Sequence, residues 1–248
     1  MVEPLSTSFF SNPSALFRGH QLRAPADRRD GPIPPGKFKP EVAAFEHAAA
    51  EFVAAQQFNS DRPEARSTLG NFYARRGLNV DAENEYKAAL RLSSQYAPAS
   101  INLADLYRQL GRDNDGERVL RTAIEEARPD AALHYALGLT LTREKRPDDA
   151  LAEFRAATEL EPDRARYAYV YAVALHSSGR VDESIEVLTD NLARHADDRD
   201  TLLALVTFNR DAGKTAAALD YAERLSRMAP NDPDIARLAA DLRARSKQ

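Results

Sequence analysis

Residues 131–164 read AALHYALGLTLTREKRPDDALAEFRAATELEPDR, and the same 34-residue frame recurs on both sides of them. Counted from Ala131, the eighth residue is Gly138, the twentieth Ala150 and the twenty-seventh Ala157. Stepping back one period gives Ala104, Gly116 and Ala123, and two periods give Gly70, Ala82 and Ala89. Stepping forward gives Ala172, Ser184 and Asn191, then Val206, Ala218 and Leu225. Twelve of these fifteen positions hold Gly, Ala or Ser, where chance would supply about four. The frame runs five times without an insertion: 63–96, 97–130, 131–164, 165–198 and 199–232.

Such a pattern has a steric origin. Two helices approach closely only where side chains are small, and larger residues fill the grooves around the contact. Large residues do recur beside the small ones: Leu69, Leu103, Leu137, Tyr171 and Leu205 at position seven, and Tyr86, Leu120, Phe154 and Leu188 at position twenty-four. Position fifteen is Gly77, Gly111, Gly179 and Gly213, where the chain must leave the first helix and glycine tolerates a left-handed residue. Lys145 takes that place in the third repeat, where Pro147 is expected to end the helix instead. No alternating β-branched runs are bounded by turn pairs, so strands are not expected.

The spacing resembles the tetratricopeptide (TPR) repeat, a 34-residue helix–turn–helix unit. Pro162 and Pro230 fall on that family's proline at position thirty-two, while Ser94, Arg128 and Ala196 depart from it. The resemblance implies an all-α fold, a TPR-like α-solenoid wound as a right-handed superhelix of helix–turn–helix repeats. Residues 41–62 look like the second half of a preceding repeat, with Ala48, Phe52 and Ala55 at its positions 20, 24 and 27. Residues 233–246 read as a capping helix with Ile235, Leu238, Ala239 and Leu242 on one face. A solenoid over 41–248 therefore follows an arm of 40 residues that holds seven of the 14 prolines and is expected to be irregular or disordered.

The segments Phe58–Ala65, Tyr167–Gly179 and Asp198–Gly213 also resemble the TPR region of certain bacterial multihaem cytochrome-like proteins. That resemblance implies an assembly module of a larger envelope or redox protein. The haem part has no counterpart here, because with no cysteine there is no CxxCH attachment site.

Composition narrows the function. The chain has 34 Lys+Arg against 38 Asp+Glu, a formal charge of −4, which offers no basic stripe for nucleic acid. Zero Cys excludes disulfides and thiolate metal sites. The five histidines lie at least 19 residues apart, so no two share a helix face as metal ligands. Neither a nucleophile elbow nor a phosphate-binding loop occurs. Asp148-Asp149 and Asp197-Asp198 fall at repeat turns, where capping explains them. Neither a catalytic site nor a cofactor is expected. No run of about 18 apolar residues spans a membrane, and no signal peptide opens the chain, so cytoplasmic residence is expected, or periplasmic if the chain is a fragment.

A TPR-like array binds on the face formed by its first helices, chiefly through positions 5, 9 and 12 of each repeat. The candidate groove residues are Asn71, Ile101, Asp105, Arg108, Tyr135, Leu139, Tyr169, Val173, His176 and Arg210. The middle of that set is apolar and aromatic, the mark of an interaction surface. Family members that clamp a terminal carboxylate use a Lys/Asn/Asn/Lys/Arg set. Here Asn71 and Asn102 match the two asparagines, but Ser67, Ala132 and Ala136 replace basic residues, which disfavours a clamp. The expected function is a non-catalytic scaffold holding a peptide or helix of another protein, with no nucleic acid and no membrane insertion, and with self-association left open.

Overall fold

The structure, a computed structural model, describes residues 39–246, and the proline-rich arm lies outside the described residues save for its last two positions. Every regular element among the described residues is a helix. In order they are α1 (Lys39–Phe58), α2 (Pro63–Arg75), α3 (Asn79–Leu92), α4 (Ala97–Gln109), α5 (Asp113–Glu126), α6 (Ala131–Arg143), α7 (Pro147–Leu160), α8 (Ala165–Ser177), α9 (Val181–Arg194), α10 (Arg199–Asp211), α11 (Thr215–Met228) and α12 (Pro233–Arg245). First helices begin at 63, 97, 131, 165 and 199, and second helices at 79, 113, 147, 181 and 215. The 34-residue frame of the sequence is thus the frame of the backbone, and the fold is an α-solenoid of helix hairpins.

Two compact units divide the chain between Ser93 and Ser94. The first holds α1–α3. There Leu69, Ala82, Tyr86 and Ala89 form a buried seam between α2 and α3, and Arg66 pairs with Glu85 at 2.9 Å. The second unit holds α4–α12, with two large cores and a smaller cluster of Ala131, Ala157 and Tyr167. One large core gathers Leu120, Leu137, Leu141, Phe154 and Leu175, and the other Leu188, Leu202, Leu205, Leu225 and Leu242. Leu242, with Ile235 and Ala239, comes from α12, whose opposite side carries exposed Asp234, Arg237 and Asp241. The terminal helix closes the second core with a charged outer surface.

Helix ends follow local chemistry. Asp130, Asp198 and Asp232 accept backbone N–H groups at the starts of α6, α10 and α12. Asp149 lies in the first turn of α7 and pairs with Arg146, so that acidic doublet contributes charge rather than the cap itself. The four position-fifteen glycines all have φ between 70° and 79°. Lys145 does not escape this requirement: its φ is 60°, the left-handed region, and Pro147 sits in the first turn of α7 rather than terminating α6. The hairpin demands the same backbone bend in every repeat, so the side chain at Lys145 must tolerate it. A left-handed non-glycine residue costs about 1 kcal/mol or more. Lys145→Gly should therefore raise the unfolding free energy by about 1 kcal/mol, read as a higher urea midpoint at unchanged m-value. An unchanged or lower midpoint would show that the bend is not strained.

Candidate partner-binding face

In the second unit, first helices of successive repeats touch one another, α4 with α6 and α8 with α10. Positions 5 and 9 fall along this contact because they lie one turn apart on one face. Ile101, Tyr135, Leu139 and Tyr169 pack against the first core, while Tyr169, Val173 and Leu203 pack against the second. Tyr169 joins the two into one stripe. All six are half-buried: one side is committed to packing between repeats and the remainder is open. The apolar residues of this face are therefore shared between packing of the repeats and the open surface.

Tyr135 shows why. Its ring lies 5.0 Å from that of Tyr167 and 6.1 Å from that of Phe154, both buried. Its hydroxyl accepts a long bond from Nε of Arg166 at 3.4 Å, and the same guanidinium carbon lies 6.0 Å over the Tyr169 ring. The two tyrosines are thereby linked through Arg166. Burial pushes the Tyr169 phenol above its usual pKa, the carboxylate of Asp200 adds to this, and Arg166 opposes it.

His176 stacks on Phe208, with ring centroids 3.9 Å apart and planes within 10°. Its Nε2 lies 3.5 Å from Oδ2 of Asp211 without forming a hydrogen bond. Burial lowers the imidazole pKa below 6.5, and the Asp211 charge only partly offsets this. The folded state therefore binds this proton less readily than the unfolded chain. The His176 contribution is fully present above pH 6.5 and is lost as pH falls through the folded pKa. His176→Gln should flatten the stability–pH curve below 6.5, and a nuclear magnetic resonance titration of the ring should give a midpoint under that value. An unchanged slope together with a midpoint at or above 6.5 would refute the assignment.

The polar members of the candidate set are engaged within the chain. Arg108 pairs with Asp105 at 2.9 Å, one turn apart on α4. Arg210 reaches Asp211 at 3.4 Å. Asn71 belongs to the first unit, where its Oδ1 accepts the Tyr86 hydroxyl at 2.7 Å. Phe208 and Tyr167 back this face through their ring contacts with His176 and Tyr135, although they lie outside positions 5, 9 and 12 of their repeats. Their signal was present in the sequence: Tyr167 is aromatic at a position where other repeats hold Ala, Leu or Thr. Among the described residues no group of three or more His, Asp or Glu side chains is arranged to hold a metal ion, and no helix is long and apolar enough to cross a membrane.

Comparison with known proteins places this geometry. The search of curated proteins found no match. Among solved structures, PilW, titled a widely conserved type IV pilus biogenesis factor, superposes with a TM-score of 0.63 at 15% identity, over 80% of this chain and 92% of its own. Pseudomonas aeruginosa PilF gives 0.60 at 18% identity, over 75% and 84%. YrrB, titled a TPR protein with an unusual peptide-binding site, gives 0.57 at 18%, over 78% and 97%. Residues 75–139 and 143–199 each match a family model described as tetratricopeptide repeat. The 34-residue frame, the helix hairpins that realise it and these matches agree, and the chain carries tetratricopeptide repeats over residues 75–139 and 143–199.

Proposed function

We propose that the protein is a non-catalytic scaffold that holds a peptide or helix of another protein against the first-helix face of its second unit. Tetratricopeptide repeats serve generally as protein-interaction modules, which supports the coarse reading. The observation that carries the finer one is the stripe formed by Ile101, Tyr135, Leu139, Tyr169, Val173 and Leu203, partly open along four consecutive first helices. Apolar positions on the outer side of a helix layer normally face solvent only where something else covers them. YrrB, on the same fold, is titled for a peptide-binding site.

Tyr135 and Tyr169 are the expected anchors, since rigid aromatic side chains lose little entropy on binding and often carry ~2 kcal/mol or more each. The double variant Tyr135→Ala/Tyr169→Ala should weaken binding of the partner, once isolated, by at least ~30-fold. Its helical circular dichroism should persist at reduced thermal stability, because loss of the Tyr135 ring contacts costs ~0.5–1.5 kcal/mol for each aromatic pair. Full affinity in the folded double variant would remove these tyrosines from the binding face.

A further inference from the structure

We infer that this face takes an uncharged, apolar segment of its partner, without ion pairing across the interface. The inference rests on the binding-face reading above and adds the chemistry of the occupant. It comes from where the charges on the face already go. Asp105 is spent on Arg108 at 2.9 Å. Arg143, at the end of α6, makes a two-pronged pair with Asp113 of α5 at 3.0 and 3.2 Å. Arg210 and His176 converge on Asp211 at 3.4 and 3.5 Å. Arg166 lies between the Tyr135 hydroxyl and the Tyr169 ring. Exposed Asp200 stands near the start of α10, at the end of the stripe.

A carboxylate of an incoming peptide would compete with a carboxylate already seated on each of Arg108, Arg143 and Arg210. A basic group would face the same competition at Asp105 and Asp211. Exchanging one ion pair for another yields little net attraction, since the displaced partner is left to solvent. Burial disfavours the charged form of the His176 imidazole, which stacks on Phe208. Between the paired charges, what remains open is the apolar flank of the stripe and two phenol groups, which offer hydrogen bonds to a backbone, with the Asp200 carboxylate exposed only at the stripe's end. An uncharged segment gains burial here and disturbs no existing pair.

The test is selection of random peptides of about twelve residues, displayed on phage, against the full chain. Counter-selection uses Leu139→Glu, which puts an unpaired carboxylate at the centre of the stripe. Circular dichroism checks that this variant is folded, and Thr207→Glu on α10 replaces it if it is not. The expected result is enrichment of peptides whose shared positions are uncharged and apolar, with at least tenfold weaker binding to the variant. Synthetic copies should bind with affinity changing less than about twofold between ~0.05 and ~0.5 M NaCl, a range in which screening removes most surface attraction. Enriched peptides with fixed acidic or basic positions, or a tenfold loss of affinity with salt, would overturn the inference while leaving the scaffold reading in place. Enrichment of nothing that distinguishes the chain from its variant would overturn both.

Discussion

Phe154→Ala should lower the unfolding free energy by about 3–5 kcal/mol, the cost of emptying a large buried aromatic site. Phe154 is 2% exposed and lies against α6 at Gly138. A Cβ added to Gly138 would fall 2.6 Å from Cε1 of that ring and 2.7 Å from Cδ1, so Gly138→Ala alone should cost about 1–3 kcal/mol. In an open helix the same change would gain about 1 kcal/mol. Combining the two should reverse the sign of the glycine effect, because with the ring gone the added methyl enters a cavity. Urea unfolding of the four proteins measures the cycle. Additive effects would mean that ring and glycine do not constrain each other.

The second large effect concerns α12. Ending the chain after Asn231 removes Ile235, Leu238, Ala239 and Leu242 from the second core. Losing the burial of one Ile and one Leu alone costs roughly 3–6 kcal/mol, and the truncated protein would also expose Leu225 and Ala222 of α11, both at most 1% exposed in the intact chain. In an array stabilised by nearest neighbours this loss falls first on the last repeat. Thermal unfolding should shift down by several degrees, and light scattering should show association. A monomeric truncation with unchanged melting would make α12 dispensable.

These two sites also show how much of the packing is legible in the sequence. The small residues at positions eight, twenty and twenty-seven mark where backbones meet, a requirement local enough to leave a periodic trace. Gly138, Ala150 and Ala157 are all buried as that trace implies. Lys145 is the counter-example: its identity suggested a different helix end, but the bend is set by the packing of the hairpin and the residue is forced to follow. Tyr135 and Tyr169 stand on the first helices α6 and α8, and their half-burial is invisible in the sequence because it depends on cross-repeat neighbours. Tyr167, whose ring backs Tyr135, belongs to the next repeat. Position alone does not reveal how much of a side chain a neighbour covers. The division between Ser93 and Ser94 has the same character, since an unbroken sequence period runs straight through it.

The partners at positions eight and twenty-four trade volume. Gly70 faces Tyr86 and Gly138 faces Phe154, Ala104 shares a core with Leu120, Ala172 with Leu188, and Val206 with Ala222. Where one helix offers no side chain the other fills the gap with a ring, and where one offers a branched residue the other shrinks to a methyl. This makes each hairpin a matched pair of halves. Recombination between repeats that cuts inside a hairpin would join a Gly half to a Leu half and leave a void, or a Val half to a Phe half and create a collision. Crossovers in the turns between hairpins would instead carry both halves together. Repeats of this protein should therefore tolerate shuffling and duplication as whole hairpins, and resist it as single helices.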